Sequence, residues 1–156
     1  MKDSIISRER ILLLHPNLRA EVMDVIDEIE LLLPANTFVR ITQTLRTIEE
    51  QNHLYEQGRS VVGKLVTNAR GGRSFHNYGM SFDFVLIEDG MVNWNITNNW
   101  MIIVNKFKER GWEWGGDWRK FKDYPHLQKT FGYTWRELLK KYNNKDFIPG
   151  TKYLNL

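Results

Sequence analysis

The sequence contains no cysteine among its 156 residues. This absence excludes disulfide bonds, thiolate ligands for a metal ion and a cysteine nucleophile. Any metal ion must therefore be held by nitrogen and oxygen atoms, chiefly those of histidine and acidic side chains. The chain has only four histidines, so the set of candidate ligands is small.

Long hydrophobic runs are also missing. Spanning a bilayer takes roughly 20 consecutive apolar residues, whereas every apolar run here is far shorter, and Leu31–Leu33 is followed at once by Pro34. The N-terminal segment carries an acid at Asp3 and lacks the apolar stretch of a secretory signal. We therefore expect a protein that is made in the cytoplasm without a signal peptide and that does not insert into a membrane.

A large excess of charge of one sign is absent as well. The 22 lysines and arginines exceed the 19 acids by only three, so the formal net charge is +3. This mild basic bias is compatible with attraction to an anionic polymer, but the dense basic stripe of a nucleic-acid binder is missing. We expect no nucleic-acid partner and interpret the short clusters Lys106–Arg110 and Arg119–Lys122 as solvated faces.

The composition predicts one globular domain. Hydrophobic residues make up 42% of the chain and charged residues 26%, which is ordinary for a domain with a buried core. No repeat, low-complexity segment or Pro/Gly/Ser-rich linker divides the sequence. We therefore predict a single domain over residues 1–156, which we expect to be a monomer.

Periodicity and capping signals predict an α+β fold with a small, mostly antiparallel sheet flanked by helices. The predicted helices are a short one capped by Ser7 and running through Leu13, one from Pro16 to Leu33, one from Thr47 to Gly58, one around Trp100–Phe107 closed by Gly111, and one from Thr134 to Tyr142. The predicted strands are Thr37–Thr44, Ser81–Ile87, a hairpin strand that reaches Val92, and Trp112–Trp114. Arg59–Arg73 is predicted to be a long functional loop, and residues 143–156 are left unassigned.

Two stretches place histidine beside carboxylates. Ser74–Asp83 contains His76 and Asp83, and Asp123 lies three residues before His126. A hydrolytic zinc ion usually takes three protein ligands from His, Asp or Glu and leaves its fourth position for water. His76, Asp83 and His126 are the three candidate ligands, and Asp123 remains as an unligated carboxylate near the metal. This division of labour is the one that a metallopeptidase needs.

The spacing within each stretch requires a particular backbone. His76 and Asp83 are seven residues apart, so they converge only if the chain bends between them, and Asn77–Gly79 is a sequence that bends. Pro125 keeps the preceding residue out of the helical region, so Asp123 and His126 lie around a turn or at the start of a strand.

Each of these residues also has an ordinary interpretation when it is taken alone. His76 suits a surface or core position, and Asp123 beside His126 suits a helix cap next to a loop histidine. His15 and His53 have no partners at ligand spacing and are interpreted as structural. Among the tryptophans, Trp112 and Trp114 are predicted to fill the core rather than form a sugar-stacking platform, and Trp118 is predicted to rim the cleft.

The two stretches resemble the metal motifs of the LAS-type zinc peptidases, which include lysostaphin-like enzymes, D-Ala-D-Ala carboxypeptidases and hedgehog domains. Ser74–Asp83 is similar to the pattern Ser-x-His-x-x-Gly-x-Ala-x-Asp, with Ser81 in place of the usual alanine. Asp123–His126 is similar to the second motif, and Thr44–Arg59 resembles the segment that carries a substrate-contacting arginine. The overall likeness is to small phage endolysins that act as L-alanyl-D-glutamate peptidases.

The resemblance implies a hedgehog/DD-peptidase-like fold and a role for each site residue. His76, Asp83 and His126 would bind zinc, and Asp123 would move a proton between the attacking water and the leaving amine. Arg46 would stabilise the developing oxyanion or clamp a substrate carboxylate, although a surface salt bridge explains it equally well without the family. The implied substrate-binding residues are Arg46, Gln51, Ser74 and Trp118.

The resulting hypothesis is a zinc-dependent peptidoglycan hydrolase that cleaves the L-Ala–D-Glu bond of the stem peptide. It would be a single catalytic domain without a separate wall-binding domain, reaching the wall by a holin-like route or after lysis. The alternatives are a D,D-carboxypeptidase of the same family and a non-catalytic wall-binding module. Asp123 argues against the module, because a closed structural zinc site needs no spare carboxylate. An aspartate rather than a glutamate at this position favours the endopeptidase branch.

Overall fold

The computed structural model describes all 156 residues, and its elements follow the predicted order. The helices are α1 (Ile6–Ile11), α2 (Pro16–Leu32), α3 (Ile48–Glu56), α4 (Asn98–Glu109) and α5 (Trp135–Asn143). The strands are β1 (Thr37–Gln43), β2 (Ser81–Glu88), β3 (Met91–Asn93), β4 (Glu113–Trp114) and β5 (His126–Gln128). Short 3-10 helices cover Phe75–Tyr78 and Gly115–Asp117. None of the helices has the length and apolar character needed to cross a bilayer.

The sheet is antiparallel throughout and is built around β2. Its order is β1-β2-β5-β4, and β3 also pairs with β2. Along one edge β2 pairs with β1 for nearly its whole length. Along the other edge it pairs with β5 over residues 81–83 and with β3 over residues 86–88. The predicted α+β class with a small antiparallel sheet is confirmed.

The hydrophobic core lies between one face of the sheet and the helices α2 and α4. Phe82 and Phe84 of β2 are fully buried in it, as the alternation of the strand predicts. The Phe82 ring lies 5.0 Å from that of Phe107, and the Phe84 ring lies 4.5 Å from that of Trp100. Because Asp83 stands between the two phenylalanines, the same alternation directs its carboxylate to the opposite face of the sheet.

Trp112 and Trp114 both belong to the core. Their exposed fractions are 3% and 7%, and the Trp112 ring packs 5.2 Å from that of Phe82. The indole N–H of Trp114 donates to the carbonyl of Tyr124 at 2.7 Å, so its polar atom is satisfied. The core interpretation of these tryptophans is therefore confirmed.

The prediction that Ser7 caps the first helix is wrong. Ser7 lies inside α1 and is buried, and its hydroxyl donates to the carboxylate of Asp3. The same hydroxyl accepts a hydrogen bond from the backbone N–H of Ile41 at 2.9 Å, which ties α1 to β1. The helix ends at Ile11 rather than Leu13. The hydroxyl of Ser7 thus bonds to β1 instead of capping the start of a helix.

The helix predicted after Thr47 does form, and the capping box of Thr47 and Glu50 is present. Its last residue is Glu56, two residues before the predicted end at Gly58. Between it and Phe75 lies the predicted long loop, in which Gln57 and Val61 form an isolated bridge. The unassigned residues 143–156 fold back onto the body of the protein, and Leu154 is buried in the core.

His15 has a structural position at the start of α2. It is fully buried, and its Nδ1 accepts a hydrogen bond from the backbone N–H of Asn17 at 3.2 Å, which caps the helix. Its Nε2–H donates to the carbonyl of Leu154 at 2.8 Å. His53 lies exposed on α3. The interpretation of His15 as a structural residue agrees with these contacts.

Replacing His15 with alanine should reduce the free energy of unfolding by about 1–3 kcal/mol, because a helix cap is lost and a buried carbonyl is left unpaired. Urea denaturation measures this change, and the zinc content of the folded variant should equal that of the wild type. His53→Ala is the matched control and should shift the free energy by about 0.5 kcal/mol or less. Loss of zinc without loss of stability in His15→Ala would contradict the structural assignment.

Candidate metal centre

A sharp turn carries His76 towards β2. The 3-10 helix Phe75–Tyr78 ends at Gly79, which has a left-handed φ of 69°. A side chain at Gly79 is excluded, because its Cβ would lie 2.7 Å from the backbone nitrogen of His15. The turn reverses the chain, so that His76 Nε2 lies 3.3 Å from Asp83 Oδ1. The predicted bend between these two residues is confirmed.

Strand pairing brings the third candidate ligand to the same place. Asp83 of β2 stands directly opposite His126 of β5 in the antiparallel register, so both side chains leave the sheet on one face. His126 Nδ1 lies 3.2 Å from Asp83 Oδ1. One ligand atom from each of His76, Asp83 and His126 can be chosen so that all three lie within 4.8 Å of one another. The structure thus gathers the three predicted ligands into one group.

Hydrogen bonds behind the two imidazoles orient them towards this group. His76 Nδ1–H donates to the carbonyl oxygen of Thr44 at 2.6 Å, since a carbonyl can only accept. His126 Nε2–H donates to Gln128 Oε1 at 3.0 Å, and the amide nitrogen of Gln128 donates in turn to Glu113 at 3.1 Å. Each ring therefore keeps its other nitrogen, with a free lone pair, for the space between the three residues. Two such nitrogens and one carboxylate oxygen fit zinc.

Burial and charge set the protonation of the three residues. Burial lowers the pKa of His76, which favours the neutral imidazole that a metal needs. Burial by itself raises the pKa of Asp83, but the neighbouring imidazoles of His76 and His126 outweigh it and hold that pKa well below its usual range. Burial likewise lowers the pKa of His126, but the hydrogen bond to Asp83 and its charge, together with Gln128 and Asp123, outweigh burial and raise that pKa above the ordinary value. Protons therefore compete with a metal ion for His126 more strongly than for an ordinary histidine.

Asp123 lies next to this group without joining it. Its Oδ2 is 3.8 Å from His126 Nδ1, and 47% of its side chain is exposed to the cleft. It precedes a turn in which the N–H of His126 bonds back to the Asp123 carbonyl at 3.2 Å, followed directly by β5. The expected turn before the last ligand is confirmed. Burial raises the pKa of the Asp123 carboxyl, and the negative charge of Asp83 raises it further.

The side chain of Arg46 lines the same cleft and is held in place by a hydrogen bond. Its Nη1 donates to Gln51 Oε1 at 2.9 Å, and Gln51 Nε2 donates to the carbonyl of Ala69 at 2.8 Å. Burial lowers the pKa of the guanidinium, while Asp83 and Asp123 oppose that shift. An arginine keeps its charge under such conditions. The guanidinium is therefore held as a cation that faces the two carboxylates.

The expectation that Gln51 lines the cleft is wrong. Gln51 is fully buried, and both ends of its amide are bonded to protein groups behind Arg46. Its helical position on α3 points it inward, because the Thr47 capping box sets where that helix begins. Gln51 therefore orients the arginine and does not face the open space.

Ser74 and Trp118 both line the cleft, as predicted. The hydroxyl of Ser74 accepts a hydrogen bond from the backbone N–H of His76 at 3.3 Å, so it also caps the turn that carries this residue. The indole of Trp118 lies 5.1 Å from the imidazole of His126, measured between ring centroids. Its ring forms a wall beside the three candidate ligands.

The cleft has a volume of about 360 Å³ and is lined by all of the predicted site residues except Gln51. These residues are Arg46, Ser74, His76, Asp83, Trp118, Asp123 and His126. The volume is that of a small-ligand pocket. A peptide segment can enter it from the surface.

Two residues that support the site were not found by sequence reasoning. The amide nitrogen of Asn77 donates to the carbonyl of Arg46 at 3.0 Å, and its oxygen accepts from the N–H of Gly72 at 3.0 Å. Gln128 orients His126, as described above. The signal for Gln128 was available, because residues two apart on a strand share a face. Asn77 also had a local signal, because it forms a capping box with Ser74, whereas its bond to Arg46 joins a distant segment of the chain.

Comparisons with known proteins connect this geometry to peptidases. A family model described as D-alanyl-D-alanine carboxypeptidase matches residues 67–129, which include the three candidate ligands and Asp123. The peptidoglycan L-alanyl-D-glutamate endopeptidase CwlK of Bacillus subtilis is 46% identical over 99 residues, covering 58% of this chain and 59% of that protein. The L-alanyl-D-glutamate peptidase of Listeria phage A118 is 37% identical over 95 residues, covering 60% of this chain and 31% of that protein. The chain thus spans less than two thirds of both relatives.

Solved structures show the same fold. The Serratia marcescens L-Ala D-Glu endopeptidase ChiX superposes with a TM-score of 0.59 at 25% identity, covering 87% of this chain and 92% of ChiX. The vancomycin-resistance D,D-dipeptidase VanXYg superposes with a TM-score of 0.55 at 15% identity, covering 86% of this chain and 60% of VanXYg. At that identity the second likeness concerns the fold alone.

These findings agree with the expectations drawn from the motifs. The hedgehog/DD-peptidase-like fold is confirmed by the two structural neighbours. Zinc as the expected cofactor is confirmed by the matched peptidase family and by the His–Asp–His group. In its motifs, its candidate ligand geometry and its fold, the chain is similar to the LAS-type zinc peptidases.

Proposed function

We propose that this chain is a zinc-dependent peptidoglycan hydrolase that cleaves the L-Ala–D-Glu bond of the stem peptide. The observation that carries the proposal is the Asp123 carboxylate, which stands beside the three candidate ligands in the cleft without belonging to them. The relatives named as L-alanyl-D-glutamate peptidases support the choice of bond. A spare carboxylate at this distance has a use in hydrolysis and none in a closed structural site.

His76, Asp83 and His126 are the residues that would hold the metal. Zinc, when bound there, supplies Lewis acidity that lowers the pKa of a coordinated water and polarises the scissile carbonyl. The protein contributes the orientation of the ligands, because Thr44 and Gln128 fix the two imidazole rings.

Asp123 is the general base and then the general acid. Its carboxylate accepts a proton from the attacking water and gives that proton to the leaving amine of D-Glu. Burial and the nearby Asp83 charge raise the pKa of its carboxyl, which makes the proton easier to hold between the two steps. Its partly exposed side chain lies at the wall of the cleft, where a substrate amide can approach.

Arg46 stabilises negative charge on the substrate. Gln51 holds one end of its guanidinium, which leaves the remaining N–H donors free to face the cleft. Such a fork suits either the oxyanion that develops at the scissile carbonyl or the carboxylate of D-Glu. Ser74 and Trp118, which line the same cleft, would contact the substrate as well.

We also propose that residues 1–156 act as one catalytic domain. In support, a single hydrophobic cluster contains residues from near both ends of the chain, from Ile11 to Leu154. We expect a monomer that acts on the cell wall as an endolysin after release, which leads to bacterial lysis. The phage origin of one relative supports this last expectation.

Digestion of purified bacterial cell walls tests the choice of bond. We expect fresh N-terminal D-Glu and no free D-Ala, because cleavage falls between L-Ala and D-Glu. Dinitrophenylation of the new amino termini followed by chiral amino-acid analysis gives the measurement. Release of D-Ala would assign the chain to the D,D-carboxypeptidases instead, and walls without new termini would favour a binding module.

The variant Asp123→Asn tests the proposed base. Hydrolysis should fall by about 10²-fold or more, because an amide cannot accept the proton of the water. Zinc content should remain that of the wild type, since Asp123 is outside the candidate ligand set. Asp117→Asn is the matched control, because Asp117 is an exposed acid paired with Lys108, and it should leave turnover unchanged. Unchanged turnover in Asp123→Asn would remove the base from this mechanism.

Acidification should release zinc and activity together. Both histidines must be neutral to bind a metal ion, and Asp83 raises the pKa of His126 in the metal-free protein, so protons compete for His126 above the ordinary histidine value of about 6.5. Zinc content and turnover, followed from about pH 8 to about pH 5, should fall in parallel. Excess zinc should move both curves to lower pH by mass action. Turnover that survives after the zinc is gone would contradict a metal mechanism.

A further inference from the structure

A second, larger groove continues from the candidate active-site cleft. It has a volume of about 670 Å³ and shares six lining residues with the cleft, among them Arg73, Trp118 and Asp123, so the two form one continuous channel. Phe121 and Trp135 also line the groove, and Phe121 is 74% exposed. None of the functions assigned to the cleft uses this space.

The groove is strongly cationic although the protein as a whole is nearly balanced. Arg73, Lys120, Lys122 and Arg136 line it, and its one acid, Asp123, is already assigned to the cleft. None of these four cations takes part in an ion pair. Lys120 and Lys122 are exposed, in agreement with their interpretation as a solvated face, and both also line this groove.

The neighbouring basic cluster behaves differently. Lys106, Lys108 and Arg110 each pair with an acid of the protein, at 3.3, 2.7 and 2.6 Å. Cations whose charge is already balanced need no external partner. The four groove cations have no such balance, so the groove is complementary to an anion that the protein does not itself supply.

Two of the cations are held in place by an aromatic ring. The guanidinium carbon of Arg73 lies 4.8 Å from the ring centroid of Trp135, and that of Arg136 lies 4.5 Å from the same ring. Trp135 is the first residue of α5, and the Thr134 capping box fixes this end of the helix, which carries the indole. Contact with the ring reduces the side-chain freedom that each arginine would lose when it binds a carboxylate.

We propose that this groove binds the acidic part of the stem peptide that follows the scissile bond, with Arg73 and Arg136 pairing with its free carboxylates. This inference rests on the function proposed above. Continuity with the cleft favours the substrate as the occupant over a separate ligand. On the L-Ala side of the bond the substrate continues into neutral sugar, whereas the D-Glu side carries the free carboxylates. Planar guanidinium groups match carboxylates in geometry as well as in charge.

Binding is measured separately from cleavage. The probe is a fluorescent stem peptide whose L-Ala–D-Glu amide is N-methylated, which blocks hydrolysis, and a second probe has its carboxylates after the scissile bond converted to amides. Fluorescence anisotropy with the zinc-loaded protein should give a Kd for the acid probe that is roughly fivefold or more below that of the amide probe. The difference should shrink as salt screens the exposed groove.

The double variant Arg73→Gln/Arg136→Gln should lose this preference and bind both probes with the Kd of the amide probe. The control Arg8→Gln/Arg110→Gln removes the same net charge from exposed arginines outside the groove and should keep the preference. Equal affinities of the two probes for the wild type, or an unchanged preference in the groove variant, would overturn the proposal. Displacement of the acid probe by a glycerol-phosphate polymer, without an effect of amidation, would overturn it in favour of a wall phosphate.

Cleavage of the unmodified peptide is followed in parallel, so that the two proposals fail separately. Cleavage without a preference for the acid probe would refute carboxylate binding in the groove and leave the proposed activity intact. A preference for the acid probe without cleavage would refute the activity and leave the groove as an acidic-peptide site.

Discussion

The antiparallel pairing of β2 with β5 is the constraint on which the candidate site depends. It sets Asp83 directly opposite His126, so their side chains meet on one face of the sheet. The same strand buries Phe82 and Phe84 on its other face. A slip of one residue in this register would exchange the two faces, placing the carboxylate in the core and a phenylalanine in the cleft. Core packing and site geometry are therefore enforced by the same strand.

Hydrogen bonds from the backbone and from buried amides then fix the side chains around that pair. Thr44 and Gln128 orient the imidazoles, while Asn77 ties the turn that carries His76 to the segment that carries Arg46. Two of these contacts join the segment Thr44–Arg46 to the turn that carries His76, and the third holds the His126 ring within β5. Such preorganisation lowers the cost of arranging charged groups when a metal and a substrate arrive.

The distribution of charge divides the channel into two parts. The cleft holds the carboxylates, with Asp83 held ionised by its imidazole neighbours and Asp123 kept at a raised pKa beside it, and Arg46 faces them. The adjoining groove concentrates cations that form no ion pair within the protein. A substrate that is neutral on one side of its scissile bond and acidic on the other would be oriented by this asymmetry before chemistry begins. The overall charge of +3 conceals this local separation.

Local patterns in the sequence determined much of this protein. The alternation around Asp83, the bend before Gly79, the capping boxes at Thr47 and Thr134 and the proline before His126 each act over a few residues. For that reason the order of the elements and the candidate ligands could be predicted.

Only the tertiary structure decided which residues support the site from a distance. The hydroxyl of Ser7 accepts a hydrogen bond from the backbone N–H of Ile41 on β1 instead of capping its helix, and the amide of Gln51 donates to the carbonyl of Ala69 behind Arg46. The pairing of Arg73 with Trp135 joins segments that are far apart along the chain. Contacts of this kind follow no period and no capping rule, so they exist only once the sheet has brought their segments together.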